Sequence, residues 1–251
     1  MKHRFLSKLP IYQESPCCGY VDEELLEDNV CKGCGETINE AYCWFPDSAY
    51  EYVVILEDYH SREPSELRKK YFEAVNEDNL MEYFTSSNEP VFQPTTDWKP
   101  VTILIFRSLF ELLLDHLLWK LIRVQLLPSF HAEDYASFIL SRFPNVSSKR
   151  DKCYKFVTGN KWAADIERFG YKDLDNLLKE TVKIRNEFIH ENPLAGHNNL
   201  SLADNVRQMI PDLFEYFVKL ANEYQHPYAK QLCKLEIKKS IETQKHRFSE
   251  S

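Results

Sequence analysis

Glycine is scarce in this chain, with 6 in 251 residues, and no stretch concentrates it into the loop that cradles nucleotide phosphates, so that class of site is excluded. No secretory signal is expected either, because residues 1–9 carry three Lys or Arg with no apolar stretch behind them. The longest apolar run, 101–127, is interrupted by Arg107, Glu111, Asp115, Lys120 and Arg123, which rules it out as a membrane span. A cytoplasmic protein without a membrane partner is the expectation. A basic excess is also lacking. The net charge is −8, with 6 Lys or Arg against 19 Asp or Glu over residues 15–100 and 22 against 19 over residues 101–251. Affinity for nucleic acid depends on neutralising phosphates, so tight nonspecific binding is excluded, and any contact with RNA must be local to the second half. No internal repeat is present.

Apolar residues make up 43% of the chain, enough for a real core. The expected class is mainly α: a small zinc-ribbon-like module over 1–60, a helical connector and linker over 61–96, and an all-α bundle over 97–251. Asp97 is a good N-cap and Pro100 is tolerated in a first turn, so a helix of about 30 residues should run to Leu127 before Pro128. It is apolar nearly all round and belongs at the centre of a bundle; His116 on it reads as a core-edge histidine. Shorter helices are expected over 131–142, 147–157 and 161–169. Ser201 caps a later helix that Pro211 should bend, and a Lys-rich helix should follow Pro227. The run 52–56 fits either a strand closing the ribbon or the start of a helix.

Five of the seven cysteines lie in the first 43 residues. Cys17, Cys18, Cys31 and Cys34 form C-C-x12-C-x2-C, with Gly19 after one pair and Gly35 after the other. A Cys followed by Gly ends a metal-binding knuckle, because the turn needs a residue free of Cβ strain while backbone amides point at the thiolate. The second knuckle, from Cys31 to Gly35, is complete. In the first, Ser15 stands where a ribbon has Cys, which leaves Cys17 or Cys43 as the fourth ligand. The segment resembles a slightly degenerate zinc ribbon with rubredoxin-like knuckles, and the resemblance implies one structural zinc. Cys153 and Cys233 stand alone and read as plain thiols.

The most informative stretch is Lys183 to Asn192, K-I-R-N-E-F-I-H-E-N. Leu174, Leu177, Leu178, Thr181, Val182, Phe188 and Ile189 recur at steps of three and four, the spacing of one buried helix face. Arg185 falls within about 20 to 40° of Leu174, Leu178 and Ile189, where an unpaired guanidinium is out of place. Asn186 and His190 are four apart on the flank of that face, and Pro193 and Gly196 stop the helix just beyond. A donor fork beside an imidazole suits a phosphodiester: Arg holds non-bridging oxygens, and His moves a proton at neutral pH.

Arg185, Asn186 and His190 match, without departure, the Arg, polar residue, three residues, His signature of the HEPN superfamily (higher eukaryotes and prokaryotes nucleotide-binding domains), which the chain resembles over 97–241. The resemblance implies a helical bundle and a metal-independent endoribonuclease that leaves a 2′,3′-cyclic phosphate, with Arg185, Asn186 and His190 catalytic and no catalytic cofactor. It implies a homodimer that brings two histidines to one phosphate, since transesterification needs both an acid and a base. In a monomer Arg185 would instead pair within its own bundle, for example with Asp115. Proteins of this kind often serve as toxins or antiphage defence effectors beside an antitoxin or regulatory partner. The alternative is a non-catalytic module that binds RNA, a nucleotide or a partner protein.

Overall fold

The computed structural model describes residues 9–27, 30–38, 40–61, 98–127, 129–190, 200–232 and 234; of these, the side chains of Leu26, Glu27, Ser61, Trp98 to Pro100, Phe188 to His190 and Leu200 are outside the description. The expected linker over 61–96, the Asp97 cap and the tail beyond 234 lie essentially outside these residues.

Among the described residues, five two-residue strands come first: β1 (Gln13–Glu14), β2 (Val21–Asp22), β3 (Leu26–Glu27), β4 (Val30–Cys31) and β5 (Tyr42–Cys43). β1 is central to an antiparallel sheet ordered β2-β1-β5, while β3 and β4 form a separate hairpin. Such short strands bury little by themselves. Their stability comes from what the turns hold and what the faces rest on.

Most of the remaining described residues are helical. Helix α1 (Asp47–Ser61) resolves the ambiguous run 52–56 in favour of a helix. Its Ala49, Val53 and Leu56 are fully buried in the same core as Ile103, Phe106 and Leu109, so the stretch belongs to the helical core and does not close the ribbon. Helix α2 (Trp98–Leu126) is the long central helix expected. Phe106, Phe110, Leu113, Leu114, Leu117, Leu118 and Leu121 are all fully buried, an arc wide enough to pack neighbours on several sides. Around it lie α3 (Ala132–Ser141), α4 (146–158), α5 (Trp162–Arg168), α6 (Lys172–His190), α7 (Leu200–Gln208) and α8 (Ile210–Leu220). No helix among the described residues is long and apolar enough to cross a membrane.

Two stretches depart from regular helix, and each redirects polar side chains. Helix α4 begins with a capping box, in which the Asn145 side chain accepts from the Ser148 amide, and then widens into a π turn, Lys149–Cys153. Beyond α8 the chain widens again into a π turn, Ala221–Gln225, and stays helical through Pro227 to at least residue 232. The sequence suggests a fresh helix after that proline. An extra residue per turn just upstream gives the helix a way past a residue that has no N–H to donate. Where the sequence suggests one helix bent at Pro211, there are two: α7 ends before Met209, and Pro211 sits in the first turn of α8.

The second π turn docks the sheet. Asn222 pairs with the Val21 backbone twice, accepting from its N–H (2.8 Å) and donating to its C=O (2.7 Å). Gln225, buried in the same turn, accepts from the Trp44 indole N–H (3.1 Å) and donates to Glu14, whose other oxygen takes Lys120 Nζ at 2.6 Å. Gly19 has a φ of +64°, and a Cβ there would meet Ala229 Cβ at 2.8 Å, so backbone conformation and close packing both require glycine.

His116 sits at this junction, its ring 5.1 Å edge-on to Trp44. Burial, with help from nearby Lys120, lowers its pKa to about 4 despite a hydrogen bond to the Trp44 backbone. A folded pKa below the ordinary value of about 6.5 means that the unfolded chain takes up the proton first. Stability is therefore fully present above about pH 6.5 and lost as pH falls toward 4. Urea titrations at pH 7 and pH 4.5 should show wild type losing about 2 kcal/mol more than His116→Gln. Equal losses in the two proteins would refute this role.

Candidate functional site

The cysteine cluster is built by two matching turns. The Gly19 amide donates to the Ser15 carbonyl and the Gly35 amide to the Cys31 carbonyl, both at 2.8 Å, and both glycines have positive φ. Ser15-Pro16-Cys17-Cys18-Gly19 is thus wound like Cys31-Lys32-Gly33-Cys34-Gly35. Ser15 takes the place that Cys31 has in its own turn. The sulfurs of Cys17, Cys18, Cys31 and Cys34 all lie within 4.8 Å of one another, with Cys17 to Cys34 at 3.2 Å and Cys18 to Cys31 at 3.7 Å. Zinc bonded at about 2.3 Å would set sulfurs roughly 3.8 Å apart, so the cluster has the right size for a tetrahedral ion.

Ser15 is 1% exposed, and its hydroxyl lies 2.7 Å from Cys17 Sγ, 3.1 Å from Cys31 Sγ and 3.7 Å from Cys18 Sγ. The fourth sulfur is delivered instead by Cys17, two residues beyond Ser15. Cys43 is exposed, and its thiol donates to the Phe45 carbonyl at 3.2 Å, outside the cluster. Burial pushes the Cys17 thiol upward and the Cys18 thiol to about 11. Burial raises Cys31 too, but the Ser15 hydroxyl and the amides of Gly33 and Cys34 outweigh it and bring the thiol down to about 7. The bundle holds the cluster from behind: His226 Nδ1 lies 2.8 Å from the Cys18 carbonyl, and Lys230 donates to the Gly33 carbonyl.

The second group of interest lies on the helices. Arg107, Glu111 and Asp115 of α2, Asn145 and Lys149 at the start of α4, and Val182, Arg185 and Asn186 of α6 line a cleft of about 350 Å³. Arg185 Nη1 donates to Asn186 Oδ1 at 3.2 Å, and among the described residues Arg185 forms no ion pair. Asp115 is taken by Lys149 at 2.6 Å, so its salt bridge is not with Arg185. Arg107 Nε donates to Glu111 at 3.2 Å. His190 is the last residue of α6, and its side chain lies outside the described residues.

One expectation is corrected. The stripe placed Arg185 among buried residues, yet it is exposed. Leu174, Leu177, Leu178 and Thr181 are buried as that stripe requires, Val182 is half-buried, and Ile184, which the stripe did not include, is buried as well. Arg185 keeps the direction of Leu174 and Leu178, but at its level α6 faces the cleft and its charged walls. Periodicity gives the direction of a side chain, whereas burial depends on what stands opposite.

Sequence reading missed the approach of Arg107 and Lys149 to this face. Arg107 was legible only as part of an i, i+4 acid-base spine with Glu111, and Lys149 only as a lysine in the first turn of the short helix expected over 147–157. The π turn that begins at Lys149 leaves no simple sequence mark. Comparison with family models, with characterised proteins and with solved structures yields no match for this chain.

Proposed function

We propose that the chain is a metal-independent endoribonuclease of the HEPN type, in which Arg185, Asn186 and His190 act on an RNA phosphodiester. The observation that carries the reading is the pairing of Arg185 with Asn186 on the open wall of a cleft, with a guanidinium that no carboxylate among the described residues occupies. In the reaction the 2′-hydroxyl attacks the adjacent phosphorus while a base takes its proton. The P–O5′ bond breaks, and an acid protonates the departing oxygen. The products are a 2′,3′-cyclic phosphate and a 5′-hydroxyl. Arg185 would balance charge on the phosphorane, Asn186 would fix the guanidinium or a phosphate oxygen, and His190 would carry a proton.

The same reading gives a symmetric dimer, because one chain supplies one motif histidine and the reaction uses an acid and a base. Light scattering at activity-supporting concentration should return twice the 29.7 kDa chain mass, and a strictly monomeric active species would overturn the composite site. A cytoplasmic toxin or antiphage effector held by an antitoxin or regulatory partner is the biological setting we propose. Cys17, Cys18, Cys31 and Cys34 would hold one structural zinc, which cross-links the two turns and takes no part in catalysis. The direct test is incubation with total RNA under brief magnesium chelation, followed by end-group analysis. Fragments bearing cyclic phosphate support the reading, and intact RNA opposes it.

A second reading has its own support. Glu111 and Asp115 put two carboxylates on the cleft wall, which weakens a polyanion site and suits a module that binds RNA, a nucleotide or a partner protein without turnover. Binding without fragments would favour it.

A further inference from the structure

The proposed chemistry leaves Arg107 without a task. It is the only buried arginine among the described residues, 8% exposed, in the wall of the cleft opposite Arg185. Its Nε is used by Glu111, a carboxylate that is itself 42% exposed, and its guanidinium lies 5.1 Å from the Phe110 ring centre. Its Nη1 is enclosed and has no hydrogen-bond partner among the described residues. An enclosed N–H without an acceptor is unfavourable, and it is most unusual on a group that is always charged.

The surrounding charges point the same way. Lys149 and Arg150 both belong to the π turn of α4, a kind of irregularity that recurs at functional sites. Lys149 faces Asp115, and Arg150 is balanced by Asp151 at 2.8 Å. Arg107 and Arg185 are thus left facing one cleft whose two carboxylates among the described residues are each already paired, Glu111 with Arg107 Nε and Asp115 through one oxygen with Lys149, the other oxygen being enclosed without a partner. Burial works most strongly against the protonated form of Arg107; Glu111 favours it, and the nearby charges of Arg150 and Arg185 add to the opposition. An anion between the two guanidinium groups would relieve that repulsion and supply an acceptor to the idle N–H groups.

We propose that the cleft between α2, α4 and α6 is a phosphate-binding site in which Arg107 and Arg185, on facing helices, hold one phosphate of a single-stranded RNA. The proposal rests on the ribonuclease reading only for the identity of the polymer. Guanidinium N–H groups that converge from two helices suit the tetrahedrally placed non-bridging oxygens of a phosphodiester better than the coplanar oxygens of a carboxylate. Arg107 is then a binding residue set by the long helix, and it explains how an acidic chain makes its contact locally.

The test separates binding from cleavage. A 2′-O-methylated oligouridine lacks the attacking hydroxyl, so it reports binding alone. Its affinity, read by fluorescence anisotropy across a KCl series, should fall about tenfold in Arg107→Gln, and the slope of log K against log salt should shrink by about 0.7, the value for one lost phosphate contact on a single strand. Arg107→Lys keeps the charge, and should keep most of the slope while weakening binding; it carries the test if Arg107→Gln does not fold. A merely structural arginine would not move the salt slope. If wild type cleaves RNA while both variants bind with wild-type affinity and slope, the Arg107 site is refuted and the ribonuclease reading stands. If wild type binds the oligouridine through Arg107 but cuts no RNA, the phosphate site stands and the ribonuclease reading fails. Absence of oligouridine binding by wild type overturns the site as well.

Discussion

Protein carrying Cys31→Ala is expected to emerge from zinc-replete cells with less than about a fifth of the metal of wild type, and to unfold at least about 10 °C lower. Wild type, purified without chelator, should carry one zinc per chain by elemental analysis. The magnitude follows from how little else holds the module. Its own buried cluster is Cys18, Leu25, Cys31 and Ile38, three strand pairings are two residues long, and a core of that size does not fold unaided. Structural zinc in small modules supplies on the order of 10 kcal/mol of apparent binding energy. Here the module also grips the bundle through Val21, Trp44 and the Cys18 carbonyl. Loss of several kcal/mol at that junction, at about 2–4 °C per kcal/mol for a chain of this size, gives the expected shift. Two controls locate the ligands. Cys43→Ser should leave zinc content unchanged. The double substitution Ser15→Cys with Cys17→Ser should retain zinc, because Ser15 already stands in the position where the matching turn has Cys31. Metal-free wild type, or a Cys31→Ala protein with unaltered melting, would dispose of the zinc assignment.

The helices after residue 97 were legible because they carry their own marks. The 29 residues of α2 are rich in Leu, Ile and Phe, with proline only in the first turn, and the buried face of α6 repeats at three and four. The boundary around residue 60 was not legible. A short run of Tyr, Val, Ile and Leu satisfies a strand or a buried helix equally, and only packing against α2 decides that 47–61 is helical. The cluster was readable down to its flaw: the missing cysteine was located at Ser15, but the choice between Cys17 and Cys43 depended on which sulfur the turn swings inward. The cleft was the least readable part. Arg107 and Arg185 are 78 positions apart, and nothing in either local pattern announces that α2 and α6 present them to one space. Such a pairing is a property of tertiary packing, as are the π turns that bring Lys149 to Asp115 and Asn222 to Val21.

The other large effect is on catalysis. Arg185→Ala and His190→Ala should each reduce cleavage of RNA by about 10²–10⁴-fold, the range for removing a charge-stabilising donor or a proton carrier from a reacting centre. Both should leave the melting temperature within about 2 °C of wild type. For Arg185 that expectation comes from the structure: the side chain is exposed, its hydrogen bond is to the adjacent Asn186, and no ion pair or core contact among the described residues depends on it. An exposed residue with so few ties changes stability by about half a kcal/mol when truncated. Asn186→Ala removes only the partner of the guanidinium, so a loss of about tenfold is expected, smaller than for Arg185 itself. Arg185→Lys is the informative variant, because it retains charge but not the planar fork. If the guanidinium holds two phosphate oxygens at once, lysine should restore less than about a tenth of the lost rate; if it acts only as a charge, lysine should restore most of it. Initial rates on a defined single-stranded RNA, measured beside thermal melts of the same preparations, settle both questions. Cleavage that survives Arg185→Ala and His190→Ala together would assign the activity to another site or to a contaminant, and the ribonuclease reading would then fall, whatever the cysteines bind.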